Sequence, residues 1–327
     1  MNLTPEAILN IAREINNNNI PDLETYNLIA AMDEKDILYL IAGADLIRDH
    51  FFKKEIHLCT ICNGKSGRCT ENCSFCSQSK FFDTKIEQFP LLPKEKLQAG
   101  AVSIQTSPVN RYSIVTSGKR IPKAEVIKIA QAVSELKTDD LAFCTSLGIL
   151  ENEDFKILKK AGISRYHHNL ETARSYFNNI CTTHSFDDRV NTIKAAKSNG
   201  LSVCAGGLFG IGETDEQVLE LALELRDLDV DAVPINFLTP IKGTPLEKHE
   251  SLTPQRCLKI IALFRFVLPD KDIFICGGRQ NNLKTMQPYI FHAGASGIMT
   301  GNYLTTKGKS LEDDLEMIKN TQFELRQ

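Results

Sequence analysis

From residue 55 onward the chain alternates short β-prone runs with longer amphipathic ones, and this alternation constrains the fold more than any other feature. The β-prone runs fall at 56–62, 101–106, 141–145, 165–169, 202–207, 232–236, 273–277 and 297–300. Helical patterns lie between them near 94–99, 122–137, 152–161, 187–199, 215–229, 254–268 and 282–292, and 311–320 closes the chain. A strand that feeds a helix returns to the sheet through a crossover, so neighbouring strands pair in parallel. Eight such units predict an α/β fold, a parallel (βα)8 barrel of the TIM type. An open doubly wound sheet with fewer strands is the competing arrangement. Hydrophobic residues make up 42% of the chain, enough for the core of one large domain.

The first 54 residues read as helices. Thr4-Pro5-Glu6 has the form of a helix start, with Thr4 as cap and Pro5 in the first turn. A second amphipathic stretch covers 35–52, and Asn17–Asn19 is a polar connector. The expected division is therefore an N-terminal helical extension over 1–54 and a barrel over 55–327. A net charge of −3 without a basic stripe argues against nucleic acid or an anionic membrane as partner. The first twenty residues contain no apolar signal core, and no run approaches the roughly 18 apolar residues of a membrane span. A cytoplasmic location is expected.

Ten cysteines are many for a cytoplasmic chain, and five lie between Cys59 and Cys76. Clustered thiols in a reducing compartment point to metal. Three of the five, Cys69, Cys73 and Cys76, follow the first predicted strand, at the strand end where barrel active sites are built. Cys69, Cys73 and Cys76 are spaced C-x3-C-x2-C. Three thiolates on one short loop can hold three irons of a cubane 4Fe–4S cluster and leave the fourth open to a small molecule. Two C-x2-C pairs, Cys59/Cys62 and Cys73/Cys76, would instead suit zinc in a non-enzymatic binding protein, but that arrangement leaves Cys69 without a role.

The spacing, with Phe75 before the last cysteine, resembles that of the radical S-adenosylmethionine enzymes. Further stretches resemble biotin synthases within that superfamily: Tyr166-His-His-Asn-Leu-Glu-Thr172, the glycine-rich run Val203–Thr214, Val233-Pro-Ile-Asn236 followed by Lys242-Gly-Thr-Pro-Leu246, Gly277-Gly-Arg279, and Ala293–Ile298. The resemblance implies S-adenosylmethionine as cofactor, cleaved to a 5′-deoxyadenosyl radical by an electron from the 4Fe–4S cluster. It implies sulfur insertion into dethiobiotin, with an auxiliary iron–sulfur cluster as sulfur donor. It further implies a flavodoxin or ferredoxin as electron donor, cluster-assembly machinery as partner, and a homodimer. By the same resemblance Asn169 and Glu171 meet the ribose of S-adenosylmethionine, Arg189 its carboxylate, and Phe75 and Ile211 the rest of the cofactor. The glycines near Ile211 and Phe209 favour adenine contacts, and Asn236 with Asn169 faces dethiobiotin. Hydrogenase-cofactor maturases and methylornithine synthase share the loop and barrel but not the Val233–Asn236 and Lys242–Leu246 pair.

The chain also departs from that family. Its auxiliary 2Fe–2S cluster has three cysteine ligands and one arginine. Cys144 and Cys204 match two of them, but Val102–Thr106, read as strand two, has no cysteine, and Phe274 stands near the arginine's place. Cys59, Cys144, Cys204 and Cys276 fall on predicted strands one, three, five and seven. Alternate strands supply each interior layer of such a barrel, so these four are expected to hold an all-cysteine auxiliary cluster larger than 2Fe–2S. Cys62 is expected to join or replace Cys59 only where strand one has ended, because a three-residue step reverses strand parity. Cys181 and Cys257 are read as structural.

Overall fold

A computed structural model describes residues 3–136 and 141–326. Lys137, the last residue of the predicted 122–137 helix, lies outside them. The N-terminal helices are α1 (Pro5–Asn16), α2 (Leu23–Ala30) and α3 (Ile37–Phe52). The Thr4 hydroxyl accepts from Ala7 N at 3.2 Å and Pro5 occupies the first turn, as the start signal predicts.

The alternation then runs β1 (Glu55–Lys65), α4 (Lys94–Ile104), β2 (Arg111–Thr116), α5 (Lys123–Ser134), β3 (Ala142–Ser146), α6 (Asn152–Lys160), β4 (Ile163–His167), α7 (Phe177–Ile180) and α8 (Phe186–Ser198). It continues with β5 (Ser202–Cys204), β6 (Gly207–Phe209), α9 (Asp215–Asp227), β7 (Ala232–Phe237), α10 (Pro254–Val267), β8 (Asp272–Ile275), α11 (Arg279–Leu283), α12 (Tyr289–His292), β9 (Gly297–Met299), α13 (Leu311–Asn320) and β10 (Glu324–Leu325). All pairings between these strands are parallel, and β9 returns to β1 through His57↔Gly297, Leu58↔Ile298 and Cys59↔Met299. The sheet is therefore a closed barrel. β5 and β6 are one barrel strand interrupted at Ala205-Gly206. Gly206 is required there, since a Cβ would lie 2.0 Å from Pro234 O.

Two sequence expectations about the elements fail. Residues 101–106 are not a strand: 101–104 are the last turn of α4, and β2 begins at Arg111. Leu97 and Ala101 are the buried residues of α4, a four-residue spacing that marks a helix, whereas β2 alternates half-buried and buried residues along Arg111–Thr116. The predicted 282–292 helix is also broken, into α11, a 3-10 turn and α12, with Pro288 before the last piece.

The N-terminal helices pack on the outer helices of the barrel, α3 against α10 and α12 and α2 against α9. Arg48 of α3 is fully buried and donates to Ala295 O (2.9 Å), Glu55 O (2.8 Å) and Lys53 O, so one guanidinium joins α3 to the start of β1 and to the turn before β9. Burial lowers its pKa to about 10. Ile8, Ala12 and Ile47 share one hydrophobic core with Ile260, Phe264 and Phe266 of α10.

Candidate active site

The carboxyl ends of the strands surround a chamber of about 440 Å³. Cys59, Cys144, Cys204 and Cys276 all line it. They come from β1, β3, β5 and the residue after β8, where Cys276 N still donates to Ile235 O at 2.9 Å. Burial raises the Cys59 thiol first, with Cys204 and Cys144 adding to the rise and Arg165 and Arg111 opposing it. Burial pushes Cys204 up to about 12, and it raises Cys276 well above the ordinary thiol range, with Cys59 and Cys204 as neighbours. Cys59 and Cys204 keep some accessible surface, but it faces the chamber. Cys59, Cys204 and Cys276, whose ionisation burial and neighbouring thiols oppose, form with Cys144 a suitable donor set for a cationic cluster, because bound metal reverses that cost and takes the ligands as thiolates. Arg111 Nη1 reaches Cys144 Sγ at 3.8 Å and Ser164 Oγ at 3.3 Å, so positive charge stands beside this set. The residues present fit an auxiliary iron–sulfur cluster.

Cys62 does not join the four. Its strand parity is opposite to that of Cys59, it is absent from the chamber wall, and it lies against the Tyr112 hydroxyl. The same parity separates the Cys59/Cys62 pair that a zinc ribbon would need. No cysteine stands on β2. Ser113 is one of its inward residues, in register with Ile61 on one side and Cys144 on the other, and it lines the chamber. The missing-cysteine expectation therefore survives the relocation of the strand, but on Ser113 and not on Val102–Thr106.

The loop after β1 brings Cys69, Cys73 and Cys76 to the same chamber. It folds back on itself: Cys69 N donates to Gln78 O (2.9 Å), Lys80 N to Cys69 O (2.8 Å), Cys76 N to Cys73 O (2.9 Å) and the Ser79 hydroxyl to Glu71 O (2.6 Å). Burial raises the Cys69 thiol and pushes Cys76 up to about 11. Cys73 is raised chiefly through the S–H that it donates to Cys181, 3.6 Å away. Three thiols on a self-braced loop at the chamber mouth suit a cluster with one open iron.

Across from this loop, Arg189 of α8 donates from Nη1 to Asn169 O (2.7 Å) and to the Glu171 carboxylate (3.3 Å), and from Nε to His184 Nε2 (3.0 Å). Glu71 Oε2 lies 2.6 Å from His184 Nδ1, so Glu71, His184, Arg189 and Glu171 form one polar chain from the thiol loop to the end of β4. Asn169 Oδ1 accepts from Gly206 N at 3.2 Å. Asn236 is held by Gly277 N (3.0 Å) and by its own bond to Gly207 O (3.2 Å). Phe75, Asn169, Glu171, Arg189 and Asn236 all line the chamber. Ile211 does not. It is buried, its N–H goes to Glu213 (2.9 Å), and its carbonyl accepts the Tyr176 hydroxyl (3.0 Å).

Sequence reasoning missed His184, Cys181 and Arg111. Nothing in a single sequence ties a histidine at a helix entrance, or a cysteine in a loop, to thiols more than a hundred residues away.

Two family models match the chain: the radical SAM superfamily over residues 63–225, and the biotin and thiamin synthesis associated domain over 234–324. A biotin synthase from Desulfatibacillum aliphaticivorans is 53% identical over 311 residues, 95% of each chain. One from Geotalea daltonii is 48% identical over 283 residues, 86% of each. Among solved structures, methylornithine synthase superposes with a TM-score of 0.84 at 19% identity, covering 97% of both chains. An FeFe-hydrogenase maturase from Carboxydothermus hydrogenoformans superposes with a TM-score of 0.79 at 19% identity, over 98% of this chain and 79% of that one. At such low identity these two share the fold alone. The sequence relatives go further, and with both family models they show that this chain belongs to the biotin synthase family.

Proposed function

We infer that the chain converts dethiobiotin to biotin by radical sulfur insertion, using a 4Fe–4S cluster, S-adenosylmethionine and an auxiliary iron–sulfur cluster. In this reading Cys69, Cys73 and Cys76 hold the first cluster, and Cys59, Cys144, Cys204 and Cys276 hold the second. One observation carries it: two separate sets of thiols open into one chamber, which Asn169, Glu171 and Arg189 also line. The bound cofactors supply a carbon-centred radical and the sulfur that traps it.

The chain's own residues bind, orient and enclose. Arg189 offers a guanidinium fork to the carboxylate of S-adenosylmethionine, and Glu171 and Asn169 offer hydrogen bonds to its ribose. Phe75 covers the cofactor from the loop side, and Ile211 supports the adenine side through the backbone that Glu213 and Tyr176 hold. Asn236 and Asn169 present amides to dethiobiotin. Burial holds His167 near a pKa of about 4 and keeps His168 well below the usual range, so the chamber gains no cation from either at neutral pH. The barrel walls keep water from the reacting carbon, which must meet its intended sulfur first.

The reading takes residues 55–327 as the catalytic barrel and 1–54 as its cover. It also takes in a low-potential flavodoxin or ferredoxin as donor, cluster-assembly partners, a homodimer and a cytoplasmic location. Ten free cysteines suit a reducing compartment. No helix among the described residues is long and apolar enough to cross a membrane.

Iron and sulfide counts per chain after anaerobic reconstitution test the assignment, in the intact protein and in a Cys69/Cys73/Cys76→Ala variant. About four irons retained by the variant supports the four-thiol site, and about two means a smaller cluster there. No iron in a folded variant removes the auxiliary cluster from the reading.

A further inference from the structure

Cys181 has no part in the function above, yet its sulfur lies 3.6 Å from that of Cys73. Both residues are buried, at 2% and 7% exposure. Hydrogen bonds on either side hold the two segments together. Ser74 N donates to Ile180 O (2.8 Å), Asn72 N to the Thr183 hydroxyl (3.2 Å), Asn72 Nδ2 to the Thr182 hydroxyl (2.7 Å) and Thr182 N to Asn72 Oδ1 (3.0 Å). Residues 72–74 and 180–183 thus run as a laced pair with the two sulfurs between them. His184 completes the group, its Nδ1 3.3 Å from Cys181 Sγ, and the donor atoms of Cys73, Cys181 and His184 all lie within 4.8 Å of one another. Both imidazole nitrogens are already engaged, however, one by Glu71 and the other by Arg189. That disfavours a metal ion and leaves the two thiols as the reactive members.

We propose that, in the chain without its first cluster, Cys73 and Cys181 form an oxidation site that reacts with peroxide and closes to a disulfide. To bond, the sulfurs must approach from 3.6 Å to about 2.0 Å. One thiol attacks a peroxide oxygen: an S–O bond forms, the O–O bond breaks, and the product is a sulfenic acid and one water. The second thiol displaces that oxygen as a second water while the S–S bond forms. The sulfur pair loses two electrons, the peroxide gains two, and both thiol protons end in water. A dithiol reductant reverses the bond.

The disulfide keeps Cys73 at a reversible oxidation level, where an unpaired thiol climbs to sulfinic acid. It also leaves the loop with two free thiols, so iron loading waits on reduction. That consequence rests on the assignment of Cys73 as a cluster ligand; the disulfide itself does not.

The test uses the cluster-free full-length chain, Cys181→Ser and Cys181→Ala, each exposed anaerobically to a small excess of hydrogen peroxide. Remaining thiols are then alkylated and the peptides mapped. The unsubstituted chain is expected to lose two of its ten thiols and to yield one linked pair of peptides carrying Cys73 and Cys181. Both variants, with unchanged far-ultraviolet circular dichroism, are expected to lack that pair and to carry Cys73 as sulfinic acid. Dithiothreitol then restores iron loading several-fold better in the unsubstituted chain than in the variants. A link from Cys73 to Cys69 or Cys76, or a Cys181 that still alkylates fully, overturns the proposal. If the mapped disulfide is present and iron loads fully without reductant, the disulfide stands and the ligand assignment of Cys73 fails.

Discussion

Glu171 has a φ of 72°, a left-handed conformation that costs a residue with a Cβ roughly 1–2 kcal/mol. Its carbonyl accepts from Leu208 N at 2.7 Å, so the edge of β6 holds the backbone there and turns the carboxylate toward Arg189. Strain held in place beside a chamber points to a working side chain. Glu171→Gln keeps the shape and removes the charge. We expect the Kd for S-adenosylmethionine, measured by equilibrium dialysis, to rise about tenfold with iron content unchanged. Gly278 makes the opposite use of positive φ. At φ 75° a Cβ would lie 1.8 Å from Phe237 O, so Gly278→Ala should destabilise the cluster-free chain by roughly 3 kcal/mol in urea unfolding. At this scale Asn169, Glu171 and Asn236 stand in short motifs that marked them in the sequence, and with Arg189 they line one chamber. His184 was not so marked, since its meaning comes from Glu71 and Arg189 in space.

Buried charges tie the elements together. Arg279 of α11 donates to both carboxylate oxygens of Asp314 in α13 at 2.9 Å, with both side chains fully buried. Breaking such a pair leaves an uncompensated charge, so Asp314→Asn should cost about 3–5 kcal/mol in the same unfolding measurement. β4 ends on His167, whose pKa burial lowers to about 4, helped by Arg165 and Arg189. Above the unfolded value of 6.5 neither state is protonated there and the contribution to stability is complete. As pH falls from 6.5 toward 4, the unfolded chain takes a proton that the folded chain refuses, and stability drops through that window. His167→Gln should make the urea midpoint fall less steeply between those values, the part that His168 contributes remaining. The one misplaced element, strand two, shows where periodicity misleads. Val102, Ile104 and Thr106 are β-branched and the run is short enough for a strand, but its one buried residue, Ala101, follows Leu97 at helical spacing.

Across the whole molecule, the barrel converts distance in sequence into a shared chamber. Cys59 and Cys276 are more than two hundred residues apart, and Cys59 raises the Cys276 thiol because β9 joins β8 to β1. Cys276→Ser should therefore remove the iron of the auxiliary site while the iron of the Cys69/Cys73/Cys76 loop remains, as counted after anaerobic reconstitution. The sequence by itself determined the class of fold, the cluster loop and the family, because a repeated βα pattern and short motifs are local properties. It also determined that the four deep cysteines belong to alternate strands, since parity is local once a strand is known. Only the tertiary structure decided that Cys62 turns away, that Ser113 stands where a thiol was sought, and that Cys181 rests against Cys73. Those facts depend on strand register and on loops laced together from distant parts of the chain, where packing and hydrogen bonding between elements, not local propensity, choose the neighbour.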